Sequence, residues 1–590
     1  MNNLLVNIKD LTIGFPNGGE IFNAVHHVNL EIKAGEVFAL VGESGSGKTL
    51  VSKAILNLLP DTALIRSGSI EISGEDILSY SPLELRSYRG KKVGMVFQEP
   101  LTSLNPALSI GMQLSEGLKI HSDLTSAEVK NECIKMLNRV YMPNPEEALK
   151  KYPHEFSGGM RQRIMLASVM LLKPDLLIAD EPTTALDVIV QKEVLDLMME
   201  IVSEEGIGLM LITHDLAIVG EYANRIAVME KGRIVETGNV EEIVKNPSHP
   251  YTKKLFSSVP GNARQEKPRY EDTEPKPPIV NAQNIEVTFP IKKGLFTPDQ
   301  KFKAVKDVSI KISPGEIVAL VGESGSGKST LGRALLKLVD TSSGSIEVLG
   351  TDITNLSDGD IKDMRQNMQL IFQDPFSSLD PRMRVEAIVS EPLRHMNNVS
   401  KPEKKQIVKS TLVEVGLGNE FIDRYPHELS GGQRQRVCIA RSIIMKPDFI
   451  VADEPVAALD VTVQKQILEL FSELQKKRGF SCLFISHDLA VVSDVSSRIM
   501  VMYHGYIVEE GQTNKIFANP VHPYTRALLQ AAPKLPGHDV SLPDLTTEIL
   551  PDNLTFLSTE NIKDDSSQLK RQFLYDLGDG HKVAVLPTER

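Results

Sequence analysis

The chain has 590 residues, of which 41% are hydrophobic and 24% are charged, so it is long enough to bury at least two hydrophobic cores. Its 65 basic and 77 acidic side chains give a formal net charge of −12. This charge has the wrong sign for a protein that binds by neutralising nucleic-acid phosphates, and we expect no nucleic-acid partner. The three cysteines (Cys133, Cys438 and Cys482) lie far apart in the sequence, which supports neither a disulfide framework nor a four-cysteine metal site.

The N-terminal sequence MNNLLVNIKD lacks a basic flank followed by an apolar core, so it predicts no secretory signal. The longest apolar stretch, around 164–172, is stopped by Lys173. It is much shorter than the roughly 18 residues needed to span a bilayer. We therefore expect that the chain does not cross a membrane itself.

A short apolar strand at 37–41 precedes the sequence GESGSGKT at 42–49, and the same arrangement returns as a strand at 317–321 followed by GESGSGKS at 322–329. This spacing is typical of a phosphate-binding loop, in which backbone N–H groups cradle phosphates at the start of a helix. The lysine of each loop is expected to reach the β- and γ-phosphates, and the hydroxyl after it to bind Mg²⁺. The loop residues are Gly42, Glu43, Ser44, Gly45, Ser46, Gly47, Lys48 and Thr49, and Gly322, Glu323, Ser324, Gly325, Ser326, Gly327, Lys328 and Ser329.

Apolar, β-rich runs alternate with helical stretches in both halves, which predicts an α/β fold with parallel sheets. Two of these runs end in an acidic pair, Asp180-Glu181 in the first half and Asp453-Glu454 in the second. In a phosphate-loop ATPase the first acid holds Mg²⁺, and the second orients or deprotonates the attacking water. The two pairs are therefore candidate metal-binding and catalytic residues.

The two halves are collinear, which indicates duplication or fusion of two related domains. We predict a first nucleotide-binding domain at 1–258, a linker rich in proline and charge at 259–280, and a second nucleotide-binding domain at 281–535. The remaining residues, 536–590, match nothing in the first half and form an accessory tail of open role. Its only strand candidate is KVAVLP at 582–587.

The segments FSGGM at 156–160 and LSGGQ at 429–433 resemble the signature sequence of the ATP-binding cassette family, and they stand in the family's order along the chain. The resemblance covers roughly 4–258 and 280–533. It implies two tandem P-loop nucleotide-binding domains, each with a RecA-like parallel-sheet core, an antiparallel β subdomain and a helical subdomain. It also implies that the signature of one half completes the nucleotide site of the other.

The resemblance implies roles for further residues. Gln98 and Gln373 are similar to the residue that meets Mg²⁺ or water, and His214 and His487 to the histidine near the γ-phosphate. With Glu181 and Glu454, the two histidines are the candidate catalytic residues. The candidate metal-binding residues are Thr49, Gln98, Asp180, Ser329, Gln373 and Asp453. The first loop would work with Ser430, Gly431, Gly432 and Gln433, and the second loop with Ser157, Gly158, Gly159 and Met160.

Met160 departs from Gln433 of the other half, and a thioether cannot donate a hydrogen bond as an amide does. Since the serine and both glycines are retained, we predict modest asymmetry and hydrolysis at both sites. The family stacks an aromatic side chain on adenine. Four candidates remain open for this role: Phe15, Phe22, Phe289 and Phe302. The absence of an Asn-Lys-x-Asp run favours ATP over GTP.

A finer resemblance, to the peptide, nickel and opine uptake branch, rests on FSGGMRQR, DEPTTALDV, FQDPFSSLDPR and a doubled Asn-Pro-x-His-Pro-Tyr-Thr at 246–252 and 519–525. It implies a fused ATPase subunit of an importer of dipeptides, oligopeptides or glutathione. The implied partners are two permease subunits and an extracytoplasmic solute-binding protein, with peripheral attachment at the cytoplasmic face of the bacterial inner membrane. ATP and Mg²⁺ are expected cofactors. No iron–sulfur cluster is expected, since no cysteine follows Cys482.

The alternative is a soluble tandem-cassette ATPase that acts on ribosomes or DNA. Ribosome-acting relatives carry a long basic helical linker, and repair relatives carry inserted zinc-binding cysteines. The linker here is short and of mixed charge, and the cysteines are too few. The sequence therefore favours transport.

Overall fold

The computed structural model describes residues 4–17, 19–98, 103–183, 186–259, 277–291, 300–357, 359–395, 399–457, 459–535, 542, 550–551, 553–558 and 572–587. The chain forms two compact units. The first is built chiefly from Met1–Val259 and the second from Pro260–Leu459, Val463–Ala532 and Ser541–Arg590. Most of the predicted linker, residues 260–276, lies outside the described residues.

The first unit alternates strands and helices along most of its length. Its strands are β1 (Leu4–Asn17), β2 (Glu20–Lys33), β3 (Val37–Val41), β4 (Leu64–Ile72), β5 (Glu75–Asp76), β6 (Val93–Val96), β7 (Leu176–Asp180), β8 (Gly208–Thr213), β9 (Arg225–Glu230) and β10 (Arg233–Asn239). Its α-helices are α1 (Lys48–Ile55), α2 (Pro82–Lys91), α3 (Ile110–His121), α4 (Ser126–Arg139), α5 (Pro145–Ala148), α6 (Gly158–Met170), α7 (Val188–Glu205), α8 (Leu216–Tyr222), α9 (Val240–Lys245) and α10 (Pro250–Ser257).

A six-stranded sheet in the order β10-β9-β3-β8-β7-β6 forms the centre of the first unit. β3 lies parallel to β8 and β9, and β7 lies parallel to β8 and β6. Every residue of β6, β7 and β8 is buried, as expected of parallel strands that are covered on both faces. The carboxyl ends of these strands meet at one edge of the sheet, which is where open α/β sheets bind ligands.

Two smaller layers complete the first unit. The antiparallel sheet β2-β1-β4-β5 shares a hydrophobic core with α1 and β3, in which Val25, Ile70, Val51 and Leu40 are fully buried. The helices α3, α4 and α5 pack with α6 and α7 in a second core. The predicted α/β class, with an antiparallel β subdomain and a helical subdomain, is confirmed.

The second unit repeats this plan. Its strands are β11 (Val280–Ile291), β12 (Gln300–Ile312), β13 (Ile317–Val321), β14 (Ser343–Val348), β15 (Thr351–Asp352), β16 (Met368–Ile371), β17 (Phe449–Asp453), β18 (Ser481–Ser486), β19 (Arg498–Tyr503) and β20 (Tyr506–Gln512). Its α-helices are α11 (Lys328–Leu335), α12 (Val385–Val389), α13 (Lys401–Glu414), α14 (Gly431–Ile443), α15 (Val461–Arg478), α16 (Leu489–Val495), α17 (Thr513–Ala518) and α18 (Pro523–Ala531).

The predicted tail at 536–590 is called the C-terminal segment from here on. Its described strands extend the main sheet of the second unit, whose order is β16-β17-β18-β13-β19-β20-β23-β21. β23 (Lys582–Pro587) is the predicted strand and pairs with β20, β21 (Leu554–Phe556) and β22 (Phe573–Asp576). The prediction of a single strand in this segment was wrong. β21 and β22 have three and four residues, too few to show a period-two pattern in the sequence.

No helix within the described ranges combines the length and the apolar character needed to cross a bilayer.

Candidate functional site

Each phosphate-binding loop links the central parallel strand of its unit to a helix. α1 begins at Lys48 and α11 at Lys328, and the glycine before each lysine has a positive φ, 103° at Gly47 and 108° at Gly327. This conformation suits glycine, which has no Cβ to clash. The N–H groups at the start of each helix therefore face the loop, which favours an anion there.

The lysine of each loop is buried beneath it. Lys48 Nζ donates hydrogen bonds to the carbonyl oxygens of Gly42 at 2.8 Å and Glu43 at 3.0 Å, and Lys328 makes the same two bonds at 2.8 and 2.7 Å. Burial lowers the pKa of Lys48, because desolvation disfavours the charged ammonium group. The carbonyl oxygens hold each ammonium group within the loop, where the phosphates of a nucleotide would lie.

The first glycine of each loop is required by a close approach to a neighbouring strand. A Cβ atom added at Gly42 would lie 2.2 Å from the carbonyl oxygen of Met229, and one at Gly322 would lie 2.1 Å from that of Met502. Both glycines also have positive φ, 154° and 149°. The loop can pass this close to β9 or β19 only without a side chain at these positions.

Asp180 and Asp453 lie at the carboxyl ends of β7 and β17, beside the loop hydroxyls. Ser329 Oγ donates a hydrogen bond to Asp453 Oδ1 at 2.8 Å, and the Thr49 side chain is hydrogen-bonded to Asp180. Burial raises the pKa of both carboxyl groups. A buried carboxylate next to a hydroxyl offers two hard oxygen ligands, so these residues fit Mg²⁺.

The predicted glutamine, glutamate and histidine come together in each unit. In the first unit Gln98 Nε2 donates a hydrogen bond to Glu181 Oε2 at 2.6 Å, and His214 Nδ1 lies 3.1 Å from Glu181 Oε1. The corresponding distances in the second unit are 2.7 Å from Gln373 Nε2 to Glu454 Oε2 and 3.2 Å from His487 Nδ1 to Glu454 Oε1. Both carboxylate oxygens of each glutamate are therefore held, one by an amide and one by an imidazole.

The backbone of both glutamates is strained. Glu181 and Glu454 each have a φ of 47°, in the left-handed region that side chains other than glycine rarely adopt. Each N–H donates to a carbonyl of the neighbouring strand, Glu181 to Ile212 at 2.8 Å and Glu454 to Ile485 at 3.0 Å. Such a conformation costs about 1–3 kcal/mol, so it persists only where the surrounding contacts hold it. In both units the strained residue is therefore the one whose carboxylate contacts the glutamine and the histidine.

The two signature segments form exposed helix N-termini. Ser157 precedes α6 and Ser430 precedes α14, and each hydroxyl accepts a hydrogen bond from the backbone N–H three residues on, at 3.4 Å in the first unit and 3.3 Å in the second. Glycine is required at the buried second position, because a Cβ at Gly159 would lie 2.3 Å from Val190 Cγ1. In the second unit the corresponding distance, from Gly432 to Val463 Cγ1, is 2.5 Å.

The two units differ at the position after these glycines. Gln433 Oε1 accepts a hydrogen bond from the backbone N–H of Ser430 at 2.9 Å, which closes a capping box at the start of α14. Met160 has no oxygen that could accept the corresponding bond. The amide therefore serves here as an acceptor within its own helix cap, whereas the sequence suggested a role as a donor.

Comparison with known proteins identifies the family. Residues 25–184 and 305–457 match the ABC transporter family. The chain belongs to the ABC transporter family. Residues 235–285 and 508–552 match a second family, the C-terminal region of oligopeptide and dipeptide transporters.

Curated members of the ABC family resemble the chain over nearly its whole length. The peptidoglycan transport ATP-binding protein YejF of Agrobacterium fabrum is 46% identical over 90% of this chain and 96% of its own length. The glutathione import ATP-binding protein GsiA of Escherichia coli O157:H7 is 40% identical over 99% of this chain and 97% of its own length. The solved ATP-binding cassette MJ0796, bound to ADP and phosphate, aligns with a TM-score of 0.37 and 27% identity over 40% of this chain and 98% of that chain.

The four phenylalanines proposed for adenine stacking form two cross-strand pairs in the antiparallel sheets. Phe15 pairs with Phe22, and Phe289 pairs with Phe302. The second member of each pair is the more exposed: 63% of Phe22 and 51% of Phe302 are accessible to solvent, against 39% for Phe289.

A tyrosine that the sequence pattern did not reveal touches the phosphate-binding loop in each unit. The hydroxyl of Tyr251 accepts a hydrogen bond from the backbone N–H of Glu43 at 3.0 Å, and Tyr524 does the same for Glu323 at 2.9 Å. These tyrosines belong to the doubled His-Pro-Tyr-Thr motif. The repetition of that motif was a visible signal, but its spacing does not reveal which element it contacts.

The His487–Glu454 pair predicts a pH-dependent stability. Burial lowers the pKa of His487, but the hydrogen bond and charge of Glu454 outweigh it and raise the pKa overall. Burial alone would raise the pKa of Glu454, but the hydrogen bond and the charge of His487 outweigh burial and lower this pKa overall. The contribution of His487 to the free energy of unfolding is therefore fully present below its ordinary pKa of about 6.5. It is lost as the pH rises through the raised pKa of the folded state.

We expect His487→Gln to reduce the free energy of unfolding by about 1 kcal/mol more at pH 6 than at pH 9. Both pH values lie above the lowered pKa of Glu454, so its carboxylate is charged throughout. Thermal unfolding of the nucleotide-free protein at the two pH values measures the difference. The control is replacement of the exposed His427 by glutamine. An equal loss of stability at both pH values would contradict the prediction.

Proposed function

We propose that the chain is the ATP-hydrolysing subunit of an importer of peptides or related small solutes such as glutathione. The observation that carries this proposal is the match of both halves to the C-terminal region of oligopeptide and dipeptide transporters. Relatives named for glutathione import and peptidoglycan transport support the same solute class. The tyrosine of that region lies against the phosphate-binding loop in each unit, so the branch-specific region and the nucleotide site are in contact.

At each loop we propose that ATP binds with Mg²⁺. The metal would be held by Thr49 and Asp180 in the first unit and by Ser329 and Asp453 in the second, where it would offset phosphate charge. Phe22 and Phe302, the more exposed member of each pair, are the side chains proposed to stack on adenine. As in the family, each loop would work with the signature serine and glycines of the other half.

Glu181 and Glu454 are the proposed general bases for the attacking water. The glutamine and histidine bound to each carboxylate fix its orientation, so little reorganisation is needed when it takes a proton. Lys48 and Lys328 would stabilise the charge that develops on the phosphates. Since both units hold the same three side chains in the same way, we propose that both hydrolyse ATP.

The proposed partners are two permease subunits and an extracytoplasmic solute-binding protein. The insertions near residues 101–156 and 374–429 would dock the permeases, and the chain would then lie at the cytoplasmic face of the bacterial inner membrane. The solute would be selected by the permeases and the binding protein.

Co-purification tests this proposal. The tagged chain is isolated from membranes of its native host in mild detergent, its partners are identified by mass spectrometry, and phosphate release is assayed with and without added dipeptides or glutathione. Two permeases and a binding protein, with ATP hydrolysis stimulated by one of these solutes, would support an importer. Recovery of ribosomal or DNA-repair proteins, or of no membrane protein, would overturn the proposal in favour of a soluble tandem-cassette ATPase.

A further inference from the structure

A buried carboxylate joins the C-terminal segment to the body of the second unit. Glu509, in β20, is fully buried and accepts hydrogen bonds from the backbone N–H groups of Val521 at 2.8 Å and His522 at 3.0 Å. Its Oε1 atom also lies 2.8 Å from Nε2 of His581, the residue just before β23. One carboxylate therefore connects the C-terminal segment with the His-Pro-Tyr-Thr motif.

The C-terminal segment makes a second contact with the same motif. Nε2 of the buried His522 lies 3.0 Å from the carbonyl oxygen of Leu557, while its Nδ1 accepts the backbone N–H of Tyr524 at 3.1 Å. Because Nδ1 accepts, Nε2 must carry the proton that is donated to Leu557. The carbonyl of Leu557 thus selects the neutral tautomer in which His522 can cap α18, which begins at the next residue.

The capped helix leads directly to the phosphate-binding loop. Tyr524 lies in the first turn of α18, and its hydroxyl accepts the backbone N–H of Glu323, the second residue of the loop, at 2.9 Å. A continuous series of hydrogen bonds therefore runs from His581 and Leu557 through His522 to the loop that is expected to hold the phosphates.

The first unit has the corresponding hydrogen bonds that lead to its own phosphate-binding loop, but the C-terminal segment takes no part in them. Glu236 corresponds to Glu509 and accepts hydrogen bonds from Ser248 Oγ at 2.6 Å and from the backbone N–H of His249 at 3.1 Å. The serine hydroxyl thus takes the place of the His581 imidazole. Tyr251 then contacts the first loop as Tyr524 contacts the second.

We propose that Tyr251 and Tyr524 are positioning residues for the two phosphate-binding loops, and that the C-terminal segment sets the position of Tyr524 and so tunes the second loop alone. The inference rests on the proposed function, in that these loops bind ATP. It gives the C-terminal segment a defined role, and it makes the two ATP sites unequal for a reason that lies outside the signature sequences.

Equilibrium binding of ATP with Mg²⁺ tests the proposal in two backgrounds of the full chain. Lys48→Ala disables the first loop, so that binding reports the second, and Lys328→Ala does the reverse. In the Lys48→Ala background we expect Tyr524→Phe to weaken ATP binding by about three- to tenfold, because it removes one hydrogen bond. We expect His581→Gln to weaken ATP binding by about threefold in the same background. In the Lys328→Ala background we expect His581→Gln to change nothing and Tyr251→Phe to weaken binding by about three- to tenfold.

Steady-state kinetics separate positioning from a general loss of structure. With both loops intact, Tyr524→Phe should raise the KM for ATP while kcat stays within about twofold, because the Glu454 network is untouched. Equal effects of His581→Gln on both loops, or unchanged ATP affinity in Tyr524→Phe and His581→Gln, would overturn the positioning role. Failure of the unaltered chain to bind ATP would instead overturn the proposed function on which it rests.

Discussion

Replacing Glu454 by glutamine is expected to slow ATP hydrolysis at the second loop by about 100-fold or more, and Glu181→Gln should do the same at the first, since a positioned general base contributes roughly 10²–10⁴ to the rate. The amide keeps the size of the side chain and the strained backbone, but it cannot accept a proton from water. ATP should still bind, because the loop lysines are unchanged. Phosphate release and equilibrium ATP binding, measured on the same preparations, check both parts.

Glu469→Gln is the matched control, since this residue lies exposed on α15 of the same unit. The Glu469→Gln variant should hydrolyse ATP at the same rate as the unaltered protein. The double variant Glu181→Gln/Glu454→Gln is the decisive case. If it retained full hydrolysis, neither glutamate could be the base, and the proposed mechanism would have to be abandoned.

Gly322→Ala is expected to abolish tight ATP binding at the second loop. The new Cβ would lie 2.1 Å from the carbonyl oxygen of Met502, and a backbone atom of β19 cannot move aside as a flexible side chain can. Relief of this overlap must shift the loop, displacing the N–H groups that cradle the phosphates. We expect a loss of about 3 kcal/mol in the free energy of unfolding and at least a tenfold loss in ATP affinity, read from thermal unfolding and ATP titration in the Lys48→Ala background.

Gly350→Ala provides the comparison. Gly350 also has a positive φ, 75°, but a Cβ there meets no atom within 4 Å. Gly350→Ala should lower the free energy of unfolding by about 1 kcal/mol, through conformational strain alone, and leave the ATP affinity unchanged. A Gly322→Ala protein that binds ATP as tightly as Gly350→Ala would show that the close approach to Met502 does not control the loop.

The parts of the fold that could be predicted are those written in short stretches of sequence. The apolar strand at 37–41, the glycine-rich loop and the helix that starts at Lys48 follow one another directly, so local pattern alone was enough. The acidic residues Asp180 and Asp453 were found in the same way, because each ends an apolar run. The family resemblance then supplied Gln98 and His214, which the structure brings to one carboxylate.

The parts that could not be predicted depend on contacts between distant residues. Nothing in the sequence near Glu181 indicates its left-handed φ, which follows from the hydrogen bond of its N–H to Ile212 in the adjacent strand. The contact between Tyr524 and Glu323 joins residues 201 positions apart. The strands β21 and β22 were missed because they exist by pairing with β23, not by a pattern of their own.

The pairing of β23 with β20 also bears on how the second unit avoids aggregation. An open sheet edge with unsatisfied N–H and C=O groups is a template for aggregation. In the first unit the edge strand β10 presents the exposed side chain of Arg233, a charge that discourages such pairing. In the second unit β20 is buried along nearly its whole length, and it pairs with β23 at two positions, Glu509 with Val583 and Glu510 with Lys582. Without β23 this stretch of β20 would be an unpaired edge, so we expect a variant that lacks β23 to aggregate more readily than the unaltered chain.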